Sequence, residues 1–443
     1  MHKQKIFIFI IIMGFLCSCG LNFDADETGQ NLVQIEVISS FTSPKFTDAY
    51  LEWEKINDNR FKIINQSVPF DEANKNKILR DFETSSEPDV LFFFNGADAN
   101  PFIEAGRVVS IPEIRKHYPD YAMNMDDEKI AVSLVDGIAY AVPIFGFWEA
   151  LYVNTEVLAA AGVAVPADDY TWEQFLDDCE AIKMAGYIPI AAALGHVPHY
   201  WWEYMIFNHT TIDTHLDIPA DIDDVQGKAW RRGMEDIQFL YDAAFFPPNT
   251  LTMIDDESFA LFVGGEAAFL LDGSWRATGI VNAFSEIIGD MTTLDEEMLE
   301  KIDVVFVPTR GKRQITDMIG GMSSGYYITR KAWDDPVKRD AAVSFVMHMI
   351  SNENVHMFAE HTANALKDGQ PDATHELTSL QLKAIDLVGR STSYTGAVQD
   401  ILQGKSREPL FDGLPDILVG DTSIESAIAA SLKIYAQTKE MAE

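Results

Sequence analysis

Cysteine is scarce in this chain: three residues in 443, at Cys17, Cys19 and Cys179. That supply leaves no disulfide framework and no cysteine-ligated metal site. Basic charge is short as well, with 33 Lys and Arg against 69 Asp and Glu, a net charge of −36. Nucleic-acid binding needs a basic footprint to neutralise phosphates, so that class is excluded. An anionic solute is disfavoured unless a local basic pocket serves it. Beyond the N-terminus there is no apolar run long enough to cross a bilayer, and the body is expected to be soluble. Internal repeats and low-complexity segments are also missing.

What is present begins with Lys3 and Lys5, followed by an apolar run at 6–16 that is too short to span a membrane. Leu16-Cys17-Ser18-Cys19 closes it: an aliphatic residue, two small ones and a cysteine. This resembles the lipobox of bacterial lipoproteins, with an ordinary cleaved signal peptide as the alternative. The resemblance implies a lipoprotein signal peptide at 1–18 and an acylated Cys19. It also implies anchorage to the outer face of the cytoplasmic membrane through that lipid. Residues 19–31 are polar and aperiodic and read as a tether. The remainder is too long for one core and calls for two lobes or more, with 47% hydrophobic residues to fill them.

Along the body, strands and helices alternate. Residues 33–38 alternate apolar and polar, 46–56 carry a helical stripe through Phe46, Ala49, Tyr50 and Trp53, and 88–94 form a buried strand. A strand is expected after the turn at Asp136-Gly137, and Pro143 and Gly146 mark a passage between lobes. Thr171-Trp172-Glu173-Gln174 is a capping box that opens the helix carrying Phe175, Cys179 and Ile182. Cys179 there reads as a small core residue. The stretch 195–202 reads as a loop, 225–245 as a long helix, 319–324 as a glycine-rich loop, and the chain beyond Pro336 as nearly all helix. The βα alternation predicts sheets covered by helices, an α/β fold.

The most telling stretch is 257–275. A short helix at 257–263 ends at Gly264-Gly265. Residues 267–271 are wholly apolar, the pattern of a strand buried on both faces. Asp272-Gly273-Ser274 turns and delivers Trp275 beyond the strand's C-terminal end, where open α/β sheets bind ligands. An indole there is either a lid on the core or a flat platform for a ligand.

Taken together, Asp136-Gly-x-x-Tyr-Ala-Val-Pro143, Leu151-Tyr-Val-Asn154, Thr171-Trp-Glu-Gln-Phe175, Phe262-x-x-Gly-Glu-Ala-Ala268, Asp272-Gly-Ser-Trp275 and Gly320-Gly-x-Ser-Ser-Gly-Tyr-Tyr-Ile328 form an ordered set. The set resembles the family 1 extracellular solute-binding proteins, maltodextrin-binding-protein-like sugar receptors of ATP-driven importers. The resemblance implies a two-lobe periplasmic-binding-protein type II fold with the ligand cleft between lobes. It implies crossings near 142–143, near 305–307 and after 328. The lobes would be 32–142 with 306–330, and 143–305 with 331–443. A monomer without cofactor or metal is expected, its partners a neutral sugar or oligosaccharide and the permease subunits of an ABC importer.

Residue by residue, the resemblance implies ligand contacts from Phe41 and Thr42, beside Ser40, in the first loop, and from Phe94, Asn95 and Gly96 after the buried strand. It adds Trp148 and Glu149, beside Phe147, after the first crossing, and His199, Tyr200, Trp201 and Trp202 in the loop after 188–192. It further adds Asp272 and Trp275, and Gly321, Met322 and Ser323 in the glycine-rich loop. Rings with a polar edge match the apolar faces and hydroxyl rim of a sugar. Each residue also has a plainer reading: one of Trp201 and Trp202 in the core, Phe94 in the core, His199 a loop histidine, Glu149 and Asp272 turn residues.

Two enzyme signals need weighing. Gly321-Met-Ser-Ser-Gly325 spells G-x-S-x-G, but a nucleophile elbow needs a helix after it and Tyr326-Tyr-Ile-Thr329 reads as strand. His356 and His361 are five apart, which splays them around a helix and suits no zinc motif. Paired carboxylates keep a carbohydrate hydrolase as the alternative class. A non-sugar solute on the same fold is the other alternative. Phosphate would want an Arg cluster or helix N-terminus in the cleft.

Overall fold

In the computed structural model the described residues are 32–68, 72–288, 291–368, 377–402 and 404–442. The expected signal peptide, Cys19 and the expected tether at 19–31 lie outside them. No described helix is long and apolar enough to cross a membrane.

Two mixed sheets flanked by helices make up the molecule. The first runs Phe61–Asn65, Val33–Ser39, Val90–Phe94, Ser324–Ile328, with the first three strands parallel and the last antiparallel. The second runs Ser393–Thr395, Asp317–Gly321, Phe147–Asn154, Ala267–Gly273, Ile188–Ile190. Ile302–Val305 pairs with the far end of Phe147–Asn154. The 267–273 strand is buried at every position, as its unbroken apolar run requires. The capping box at Thr171 and Gln174 is formed, and Cys179 is free, buried and part of the second lobe's core.

Register decides where the sheets meet. Gly321 pairs with Phe147 at the C-terminal end of 317–321. Three residues on, Ser324 stands opposite Phe94, the C-terminal end of 90–94. Both sheets therefore aim strand C-termini at one junction, the place where such sheets take ligands. The junction is tight. A Cβ on Gly146 would lie 2.7 Å from the Gly321 carbonyl oxygen, so the two crossing segments touch backbone to backbone.

Several expectations change here. The second crossing is at 322–323, not 305–307, because Ile302–Val305, Phe306 and Asp317–Gly321 all join the second sheet or its core. The chain does not leave the first lobe after 328. Trp333, Ala341, Phe345, Val346 and Val355 fill the core under the first sheet, and Met125 still bridges Leu366. By Ser379–Arg390 the chain packs under the second sheet. The strand expected after Asp136-Gly137 reduces to a single bridge, Val142 to Tyr326, since Pro143 and the crossing leave no neighbour to extend it. Residues 199–207 form a helix, not a loop.

Candidate functional site at the junction of the two sheets

Trp275 opens the Trp275–Ala283 helix directly after the 267–273 strand. Its side chain is 44% exposed, which removes the core-lid reading. The ring folds back over Gly273: a Cβ there would meet three ring carbons at 2.2–2.5 Å. Phe147 and Tyr200 flank it at centroid distances of 6.3 and 6.1 Å. The benzo ring of the indole thus lies against Gly273, with two other aromatic rings tilted beside it.

The band continues into the first lobe. Phe147 pairs with Gly321, and Gly146 nearly touches the Met322 thioether. Asn95 donates through Nδ2 to the Met322 carbonyl at 2.8 Å, and its backbone N–H donates to the Ser323 carbonyl at 2.9 Å. Gly321, Met322 and Ser323 are half-buried and are themselves the crossing. Phe41, half-buried, packs edge-on against Phe92 and Phe145, and Thr42 beside it is exposed. Phe94, Asn95 and Gly96 are half-buried at the end of their strand.

Other residues named from the sequence do not face this band. Trp201 and Trp202 are both in the core, against Phe175 and Phe246 and against Trp230 and Phe411 respectively. Their helix is surrounded on all sides, so adjacent residues both find apolar cover. Trp148 points to the opposite face of its strand from Phe147 and Glu149, packing by Tyr152 and His361. Asp272 is buried in an ion pair: Oδ2 accepts from Arg276 Nε at 2.6 Å, and Arg276 also reaches Asp255. Burial lifts the Asp272 pKa to about 6 although Arg276 opposes the shift.

Glu149 shares the Phe147 face, its carbonyl accepting from Tyr204 Oη at 2.6 Å. Its side chain is buried, Oε2 has no hydrogen-bond partner, and burial followed by the charges of Glu203, Asp400 and Asp272 pushes its pKa well above the carboxylate range. His199 packs against Tyr200, the rings tilted by 52° with centroids 4.0 Å apart. Burial, then the charges of Arg407 and Lys75, lower its pKa to about 3.

Sequence reading missed the contribution of the C-terminal third. Glu203, wholly buried, accepts from the backbone N–H groups of Val398 and Gln399 at 2.9 and 2.8 Å. It thereby holds Asp400 against the first lobe, where Gly96 meets the Asp400 carbonyl oxygen. The available signal was a lone glutamate inside the aromatic run 199–207. Two cavities, of about 570 Å³ around Trp172, Asp236 and Arg310 and about 470 Å³ around Val165, Leu382 and Arg390, contain none of the junction residues.

The profile of the family described as "Bacterial extracellular solute-binding protein" matches residues 39–356. The chain belongs to that family. As a solute-binding protein it finds no significant match among curated proteins. Among solved structures it is similar to a chitin oligosaccharide binding protein, with TM-score 0.76, 19% identity, and 92% of this chain and 99% of that chain covered. It is similar to a protein from work on xylan utilisation by the thermophilic bacterium Caldanaerobius polysaccharolyticus, at TM-score 0.73, 19% identity, 91% and 100% coverage. A third is the ABC substrate-binding protein Lmo0181 from Listeria monocytogenes in complex with cycloalternan, at 0.69, 15%, 92% and 99%. These likenesses show the bilobed periplasmic-binding fold of a binding protein. The G-x-S-x-G segment passes from strand to strand, so it lacks the elbow's helix. No cluster of His, Cys, Asp or Glu fit for a metal occurs among the described residues.

Proposed function

We propose that the junction binds an uncharged sugar or oligosaccharide, and that the solute-binding protein closes its lobes on it and delivers it to an ABC-type importer. The observation that carries this reading is the exposed Trp275 ring, seated on Gly273 and flanked by Phe147 and Tyr200. A flat apolar face with polar groups at its margin matches a pyranose ring. Asn95 and Glu149 are at hand for hydroxyls, and leaving such a group unpaired when buried costs about 1–3 kcal/mol. Three relatives in fold are described with chitin oligosaccharide, xylan utilisation or cycloalternan.

In this reading one lobe is 32–142 with 324–367, the other 147–321 with 379–442. The hinge is the Gly146 and Gly321 contact, and ligand contacts from both sides favour the closed state. An acylated Cys19 would hold the protein at the outer face of the cytoplasmic membrane. A thermal-shift screen against a sugar panel tests the proposal: a ligand at about a hundred times its Kd adds about 2.7 kcal/mol. Trp275→Ala is expected to abolish most of that shift and leave the unliganded melting point nearly unchanged. A large fall in the unliganded melting point would make Trp275 a packing residue and sink the proposal.

A further inference from the structure

One end of the junction band is closed by charge. Asp98 follows the 90–94 strand in the first lobe. Arg407 belongs to the second, with Leu402 and Leu410 on either side buried in that lobe's core. The guanidinium spans the gap, donating to both carboxylate oxygens of Asp98 at 3.3 and 3.5 Å. From its own lobe it is aimed by Nε donating to the Leu402 carbonyl at 2.8 Å. Lys75 supplies a second cation to Asp98 from the first lobe, at 2.8 Å. All three side chains are sheltered, at 9%, 14% and 17% exposure for Lys75, Asp98 and Arg407. Beside them the Gly96 backbone meets the Asp400 carbonyl oxygen so closely that a Cβ would stand 2.7 Å away. His199, which packs against Tyr200 and so adjoins the Trp275 platform, feels the charges of both Arg407 and Lys75.

We propose that Asp98 and Arg407 form an ionic latch across the junction of the two sheets that shuts its His199 end, so that a bound chain extends only away from that end. This rests on the reading of the junction as the sugar site. Lobe opening must separate the pair, since its members sit on different lobes. Lys75 stays with Asp98 when they part, so opening does not leave that carboxylate unpaired. A partly sheltered pair is weakened by salt. Closure on an uncharged ligand thereby acquires an ionic-strength dependence that the ligand itself does not carry, and the contact at Gly96 and Asp400 caps the length of chain admitted.

The test uses wild type, Arg407→Gln, Arg407→Lys and Asp98→Asn. Small-angle scattering of the unliganded proteins is recorded at about 0.05 and about 0.5 M salt. Calorimetry follows with a series of linear oligosaccharides of increasing length. Wild type is expected to be compact at low salt and expanded at high salt, Arg407→Gln and Asp98→Asn expanded at both, and Arg407→Lys restored towards compactness. Relative to the shortest binder, Arg407→Gln gains roughly ten-fold for longer chains, about 1.4 kcal/mol. Scattering from Arg407→Gln and Asp98→Asn that matches wild type at both salts overturns the latch, whatever the sugars do. A gain that is absent for longer chains overturns the length limit. A wild type that binds no sugar overturns the reading of the site, and the scattering still decides the latch.

Discussion

A Cβ on Gly273 would stand within 2.2–2.5 Å of three carbons of the Trp275 ring, so glycine there is what lets the indole lie down. Gly273→Ala is expected to lift the ring and weaken ligand binding by ten-fold or more in calorimetry. Trp275 itself remains in the chain, which separates platform geometry from residue type. His199 gives a pH test. Its folded pKa, lowered to about 3 by burial and then by Arg407 and Lys75, lies below the unfolded value of about 6.5. As pH falls below that value the unfolded chain takes up a proton that the folded chain refuses, so His199 subtracts stability. His199→Gln should therefore gain in melting temperature over wild type progressively from pH 7 to pH 4. Parallel melting curves check this. Asp272 and Asp400, raised by burial to about 6 and about 7, run the other way. Their contribution is full below about pH 4 and is lost as pH rises through those values, which is why a difference between variants is measured and not one profile.

Among the elements, the crossing segment 321–323 is the one on which both sheets depend. Gly321 has φ of +152° with open space around the position of a Cβ, so a side chain there meets backbone strain and no crowding. Gly321→Ala is expected to cost about 1–3 kcal/mol in denaturant melts and, on the proposed lobe closure about this residue, to shift the apparent ligand affinity. The 199–207 helix is the second such element. It buries Trp201, Trp202 and Glu203, yet offers Tyr200 and His199 at its first turn to the junction. One helix thus supplies core, a tie to 398–399 and a wall of the site.

For the whole molecule, the net charge of −36 makes salt act with opposite signs at two levels. Screening relieves self-repulsion of the folded chain, so the unliganded melting temperature should rise between about 0.01 and about 0.2 M salt. Over the same range the Asp98 and Arg407 pair weakens, and ligand affinity should fall. Scanning calorimetry beside titration calorimetry reads both. Affinity that climbs with salt together with the melting temperature would place the dominant charge effect in the fold and not at the junction.

The sequence by itself determined the elements and their class. Alternation marked 33–38, buried apolar runs marked 88–94 and 267–271, and a capping box opened the helix after Thr171, where strands Val33–Ser39, Val90–Phe94 and Ala267–Gly273 and helix Trp172–Met184 are found, because local burial writes itself into apolar spacing. It also placed Trp275 beyond a strand's end, although Asp272 and Gly273, expected as turn, belong to the strand itself. Tertiary structure alone decided which lobe each segment joins. The helices after 336 look the same in sequence under either sheet, and only packing of Phe345 and Val346 beneath the first assigns them. The same holds for the two tryptophans at 201 and 202, whose burial depends on what surrounds their helix, and for Asp98 with Arg407, partners 309 residues apart. A pattern records the solvent a residue meets; it does not record which distant segment excludes that solvent.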